Sequence, residues 1–177
     1  MKVILAILAF LIVVVGSAYA VTMGKTDGMM GQNTTMTAKA VFAGGCFWCM
    51  ESDFEKLDGV TDVISGFTGG TLKNPTYNGN HDGHYEAVEV TYDPEQVSYE
   101  QLLEHYWINI DPFDTGGQFC DRGHSYLAAI FVANDMERKS AEASKRAVEM
   151  KFPDQKIVTP ILDASPFAPI EGEESYH

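Results

Sequence analysis

Ala38-Lys39-Ala40-Val41-Phe42-Ala43-Gly44-Gly45-Cys46-Phe47-Trp48-Cys49-Met50-Glu51 changes its hydrophobic period in mid-stretch. Residues 38–43 are a short apolar run of strand length, and two glycines break it. Phe47, Met50, Phe54 and Leu57 then fall at i, i+3, i+7 and i+10, one apolar stripe of a helix expected over 46–57. Cys46 opens that helix, where unpaired N–H groups and the macrodipole favour a thiolate, the reactive form of the thiol. Trp48 lies off the stripe and is free to line a pocket beside the sulfur.

Outward from this stretch the chain keeps a regular order. Gly59 is a helix stop, and a second strand is expected over 60–68. Residues 69–85 form a long loop rich in Gly, Asn and His, of the kind in which sites lie. A third strand, 86–92, alternates and ends at Asp93-Pro94. Ser98-Tyr99-Glu100-Gln101 is a capping box, and Leu102, Leu103, Tyr106, Trp107 and Ile110 give the apolar face of a second helix. A Gly/Asp loop over 111–123 holds Cys120, and 126–132 is apolar enough for a central strand. Asn134 and Asp135 cap a third helix running to Phe152-Pro153, and a last strand is expected near 157–162. The first six elements read β-α-β-β-α-β, a ferredoxin-like split arrangement. The expected fold is α+β: a two-layer sandwich on this core, plus an extra helix and strand, in one domain over 38–177.

Composition bounds the function. The 177 residues are 45% apolar and 21% charged, with a net charge of −13. The arginines (Arg122, Arg138 and Arg146) form no cluster, so a general affinity for nucleic acid is not expected. Residues 1–20 read as a secretory signal: Lys2, an apolar run from Val3 to Val15, then Ala18-Tyr19-Ala20 as a small-x-small cleavage site. The run is shorter than the ~20 residues that span a bilayer. The chain is therefore expected to be exported, periplasmic or extracellular, with no stable membrane association after cleavage; an uncleaved anchor is the alternative. Residues 21–37 read as a flexible tether rich in Met, Gly and Thr. Three cysteines in an exported chain leave at least one thiol unpaired, which suits redox work better than a stabilising framework.

Glu86 is the second informative residue. Positions 86, 88, 90 and 92 share one strand face as Glu, Val, Val and Tyr, so Glu86 continues an apolar surface. A carboxyl there loses hydration, its pKa rises, and it keeps the proton a general acid needs. Tyr77 and Tyr126 are candidate phenol donors or amphipathic core residues, and Asp121 anchors a site or caps a turn. Asn78, Asn80, Asp82, Gly83 and Glu89 approximate a calcium-loop spacing, but an extended segment precedes them and a strand comes after, which excludes that reading. His81 and His84 are too few to make a zinc site, so no metal is expected. Cys46 and Cys49 invite comparison with dithiol oxidoreductases. Their i, i+3 spacing at a helix start gives Cα separations of about 5–6 Å, within disulfide range. A metal-binding module built on the tether methionines and the His loop is a third reading.

Gly45-Cys46-Phe47-Trp48 after an apolar strand resembles the signature of the A-type peptide methionine sulfoxide reductases. So do Gly66-Phe67-Thr68-Gly69-Gly70, Asn74-Pro75-Thr76-Tyr77, Gly83-His84-Tyr85-Glu86-Ala87-Val88 and Asp121-x-Gly123-x-x-Tyr126, all in order. The resemblance covers about 38–177. It implies Cys46 as the nucleophile on the sulfoxide sulfur, and Glu86 as the acid that protonates the oxygen. It implies Tyr77 and Tyr126 as its hydrogen-bonding phenols, Phe47 and Trp48 as the methyl-holding aromatics, and Asp121 as the positioning carboxylate. The implied substrates are the S epimer of methionine sulfoxide, free or in oxidised proteins. No cofactor is implied beyond an external, thioredoxin-like dithiol reductant. A sulfenic acid on Cys46 would be condensed to a disulfide by a second thiol, Cys49, with Cys120 the alternative. Leu127-Ala128 departs from the Arg-Ser that often follows the second tyrosine. The dithiol oxidoreductase reading, using Cys46 and Cys49, remains the alternative.

Overall fold

The computed structural model describes residues 36–170. The expected signal over 1–20 and nearly all of the tether over 21–37 lie outside the described residues. Strand β1 (Ala38–Gly44) leads into helix α1 (Phe47–Phe54), followed by β2 (Val60–Thr68), β3 (Tyr85–Tyr92) and helix α2 (Tyr99–Ile108). A two-residue hairpin, β4 (Gly117–Gln118) and β5 (Asp121–Arg122), precedes a 3-10 turn at His124–Tyr126. Then come β6 (Ala128–Val132), helix α3 (Asp135–Lys151), β7 (Ile161–Asp163) and β8 (Ala168–Pro169). None of the helices among the described residues is long and apolar enough to cross a membrane.

The main sheet runs β7-β6-β1-β3-β2-β8. Its middle four strands, β6-β1-β3-β2, are antiparallel neighbours that realise the expected β-α-β-β-α-β core. The parallel strand β7 extends one edge, and β8 extends the other. The expected extra helix is α3. The single extra strand becomes two, and the one expected near 157–162 begins only at Ile161, beyond Pro160.

Alternation decides the two faces. Phe42, Val63, Phe67, Val88, Val90 and Ile130 face the helices, where Phe47, Met50, Phe54, Leu102, Leu103 and Tyr106 complete the main core. Phe42 stacks on Phe54 and on Tyr106, each at 5.2 Å between ring centroids. The opposite face is lined by Ala43, Ala87, Ala129 and Phe131, with Phe167 packed against them. Small side chains suit it because the chain after β7 returns to pair β8 with β2. A Cβ on Gly66 would lie 2.6 Å from the Phe167 ring, so this close approach needs glycine. The capping box forms in full, Ser98 accepting from the Gln101 N–H while the Gln101 side chain accepts from Ser98 N–H.

Candidate active site

The C-terminal end of β1 carries the first group. Gly45 adopts φ +93°, and a Cβ there would sit 2.6 Å from the Gln118 Cβ, so glycine is needed both to turn the chain and to seat the β4–β5 hairpin. Cys46 comes next as the N-cap residue of α1, not yet helical at φ −56° and ψ 117°. Its carbonyl accepts from the N–H groups of Cys49 and Met50, at 3.1 and 3.2 Å, which ties the thiol-bearing residue to the first helical turn.

β3 supplies the acid. Glu86 is 2% exposed on the helix-facing side of the sheet, as its parity requires. One carboxyl oxygen, Oε2, accepts from the Phe47 N–H at 3.2 Å, so the acid meets the helix start one residue beyond Cys46. Burial pushes its pKa up to about 7; the Phe47 N–H and His81 oppose that rise, and Asp121 adds to it. Desolvation wins over the helix start.

The aromatic floor is continuous. Phe47 packs against Trp48 at 5.3 Å and Phe67 at 5.6 Å. Tyr77, from the loop after β2, reaches within 5.0 Å of Trp48 and 6.0 Å of Phe47, centroid to centroid. The Trp48 Nε1 is buried without a hydrogen-bond partner among the described residues. Tyr126 sits on the 3-10 turn after Gly123, not at the start of a strand as expected, because the strand begins two residues later. Its phenol is held above the usual range, first by the Glu86 carboxyl, then by burial, Asp121, Tyr77 and Cys46. Those four groups act on the Tyr126 phenol through space.

Two cysteines open helix α1 and the third lies on the hairpin turn. Cys49 lies on the first turn of α1, three residues after Cys46. Its thiol is pushed up to about 11, by burial of the sulfur first and then by Cys46, Asp121 and Asp53. Cys120 is exposed on the turn of the β4–β5 hairpin, beside the exposed Phe119. All three are free thiols.

Some contributors escaped the sequence reading. His81 stacks on Phe67 at 4.8 Å and biases Glu86, although its loop position suggested at most a metal ligand. Gln118, 1% exposed, wedges the hairpin against Gly45 and holds the backbone of Asp111 by two hydrogen bonds. Glu51 is buried one turn beyond Phe47 and accepts from the Ser65 hydroxyl. A buried polar residue inside an apolar period was the available signal for Glu51. Nothing local marked Gln118. Among the described residues no three metal-ligating side chains converge.

A free thiol at a helix start, one residue from the N–H that binds a buried carboxyl, on an α+β scaffold, is the kind of site that thiol-dependent enzymes use. Residues 38–177 match the family model described as peptide methionine sulfoxide reductase, and the chain belongs to that family. It is 52% identical over 143 residues to the peptide methionine sulfoxide reductase MsrA of Bacillus licheniformis, covering 78% of this chain and 79% of that one. To the MsrA 2 of Caulobacter vibrioides it is 49% identical over 160 residues, 89% of this chain and 80% of the other. Among solved structures, methionine sulfoxide reductase A of Corynebacterium diphtheriae superposes with a TM-score of 0.69 at 30% identity, over 76% of this chain and 70% of that one. The reduced form of Mxr1 from Saccharomyces cerevisiae shares the fold, with a TM-score of 0.72 at 23% identity over 81% and 84% of the two chains. The protein is an oxidoreductase of the peptide-methionine (S)-S-oxide reductase class.

Proposed function

We propose that Cys46 and Glu86 divide the reduction of methionine sulfoxide between them. The Cys46 sulfur attacks the sulfoxide sulfur while Glu86 gives its proton to the sulfoxide oxygen, a poor leaving group until protonated. Tyr77 and Tyr126 hydrogen-bond that oxygen, Phe47 and Trp48 hold the methyl group, and Asp121 positions the site. Oxygen passes to Cys46: the methionine sulfur is reduced by two electrons, and Cys46 becomes a sulfenic acid. The Cys49 thiol then condenses with it, releasing water and leaving a Cys46–Cys49 disulfide. An external dithiol reduces that disulfide; the solved complex of Mxr1 with Trx2, similar in fold at 19% identity, supports a thioredoxin-like donor.

One observation carries this reading. Glu86 is a carboxyl with a pKa of about 7, hydrogen-bonded to the residue next to the thiol. Cys49 is preferred over Cys120 because it stands on the helical turn that Cys46 caps, close enough for Cys46 to raise its pKa. Oxidation of Cys46 removes part of what holds the Cys49 proton in place, so the second step is readied by the first. Epimer-resolved turnover of methionine sulfoxide by the wild type and by Cys46→Ser tests the assignment. Loss of the S epimer with wild type only is expected, and equal loss with the variant would refute it.

The substrates are free methionine sulfoxide and oxidised proteins, so the activity is repair after oxidative stress. Export through residues 1–20 completes the proposal. The N-terminal sequence of the chain recovered from producing cells is expected to begin at Val21; an intact Met1 would refute cleavage.

A further inference from the structure

The Tyr77 phenol reaches the thiol site on a segment, 69–84, that forms neither helix nor strand. An unsupported loop would spread that phenol over many positions, and fixing each residue costs entropy. Packing against Trp48 and Phe47 holds the Tyr77 ring. Its backbone is held from the other side, through His81.

Thr76, the residue before Tyr77, has both backbone groups engaged. Its N–H donates to the Asn80 carbonyl at 3.2 Å, and its carbonyl lies 3.1 Å from His81 Nδ1. A carbonyl only accepts, so Nδ1 carries the imidazole hydrogen and donates. The turn between them is tight, since a Cβ on Gly79 would come within 2.2 Å of the Thr76 hydroxyl oxygen. The face of the His81 ring stacks on Phe67, at 4.8 Å between centroids and 14° between planes. Phe67 is the cross-strand partner of Glu86, and both are buried. The His81 carbonyl in turn accepts from the His84 N–H at 3.0 Å, two residues ahead of Glu86. One imidazole thus rests its face on the sheet beside the acid and gives its edge to the turn bearing Tyr77. The destination of that phenol is marked by Tyr126, which is held above the usual range by Glu86 first and, among others, by Tyr77.

We propose that His81 is a positioning residue for the reaction: its Nδ1–H holds the Thr76 carbonyl so that the Tyr77 phenol reaches the oxygen that Glu86 protonates. This role rests on the reading of Tyr77 and Tyr126 as the phenols that hydrogen-bond the sulfoxide oxygen. His81 acts through Tyr77, not on the substrate.

Two substitutions separate the edge of the ring from its face. His81→Phe keeps a ring to stack on Phe67 and loses the Nδ1–H. His81→Asn loses the ring and keeps an amide N–H at the same reach. Two phenols serve one oxygen and either covers for the other, so each substitution is placed in two backgrounds. Tyr126→Phe leaves Tyr77 as the phenol on which the reaction depends; Tyr77→Phe removes what His81 positions. Single-turnover rates of methionine formation from methionine S-sulfoxide, with their half-saturating concentrations, isolate this step from recycling by the dithiol. In Tyr126→Phe, His81→Phe should lower the rate about tenfold, the worth of one hydrogen bond, at an unchanged half-saturating concentration. His81→Asn should restore most of that rate while being the less stable of the two in urea, so that rate and stability part company. In Tyr77→Phe, His81→Phe should change the rate by less than about twofold, because the two residues act as one unit. Equal losses in both backgrounds, no loss in Tyr126→Phe, or a His81→Asn as slow as His81→Phe would overturn the role. A Tyr77→Phe, Tyr126→Phe double variant as fast as wild type would instead overturn the phenol reading, and this role with it.

Discussion

At Glu86 the Phe47 N–H and His81 favour the carboxylate, while burial favours the acid and prevails. Its folded pKa of about 7 exceeds its ordinary 4.5, so the native chain grips this proton more tightly than the unfolded one. The stabilisation is full below pH 4.5 and disappears as pH climbs through 7, a span on the order of 3 kcal/mol. Glu86→Gln cannot ionise. At pH 8 it should resist urea better than wild type by up to about that amount, while turnover falls roughly 10²–10⁴-fold. The wild type kcat/KM should itself decline above pH 7. Cys49→Ser should give one equivalent of methionine in a single turnover and then stall with a dithiol donor. Continued cycling with Cys120→Ser, measured alongside, separates the two thiols. Strand parity made Glu86 legible from sequence, since a face is fixed by odd and even positions. His81 was not legible, because a loop has no period and its stacking on Phe67 is made by tertiary structure alone.

Helices and the central strands declared themselves through period and punctuation. The capping box at Ser98–Gln101 and the Asn134 cap, accepting from Met136 and Glu137 N–H, mark their helix starts. The short elements were silent. A two-residue hairpin carries no period, and Tyr126 was drawn into the neighbouring strand because an aromatic extends an apolar run. Gly45 joins the legible and the hidden: the break was readable, its contact with Gln118 was not. Gly45→Ala forces a side chain to φ +93° against that residue. It should lower urea stability by about 1–3 kcal/mol and reduce kcat more than it raises KM, since Cys46 is displaced. Ser98→Ala, remote from the thiol, should cost about 1 kcal/mol and leave kcat/KM unchanged.

Over the whole chain, both edges of the sheet are added by the residues after α3. The stretch 164–170 starts with Ala164 N–H donating to Val132 at one edge, and ends with Ile170 N–H donating to Ser65 near the other. Between them Ser165 receives the Gly69 N–H at 2.9 Å and lies 2.9 Å from the Thr68 hydroxyl. Ser165→Ala should therefore cost about 1–3 kcal/mol and hasten limited proteolysis within residues 69–84. No local pattern announced this crossing, since proline and small residues there look like an ordinary tail.

That crossing sets an order of assembly. The loop bearing Tyr77 and His81 departs from residues that the final turns of chain must clasp, more than ninety positions later. A growing polypeptide thus carries Cys46 and Tyr77 for most of synthesis before Ser165 is there to hold the start of the loop that bears the tyrosine. The loop is clasped only once residues 165–170 have emerged, so a shorter chain holds the thiol while its surroundings are still loose.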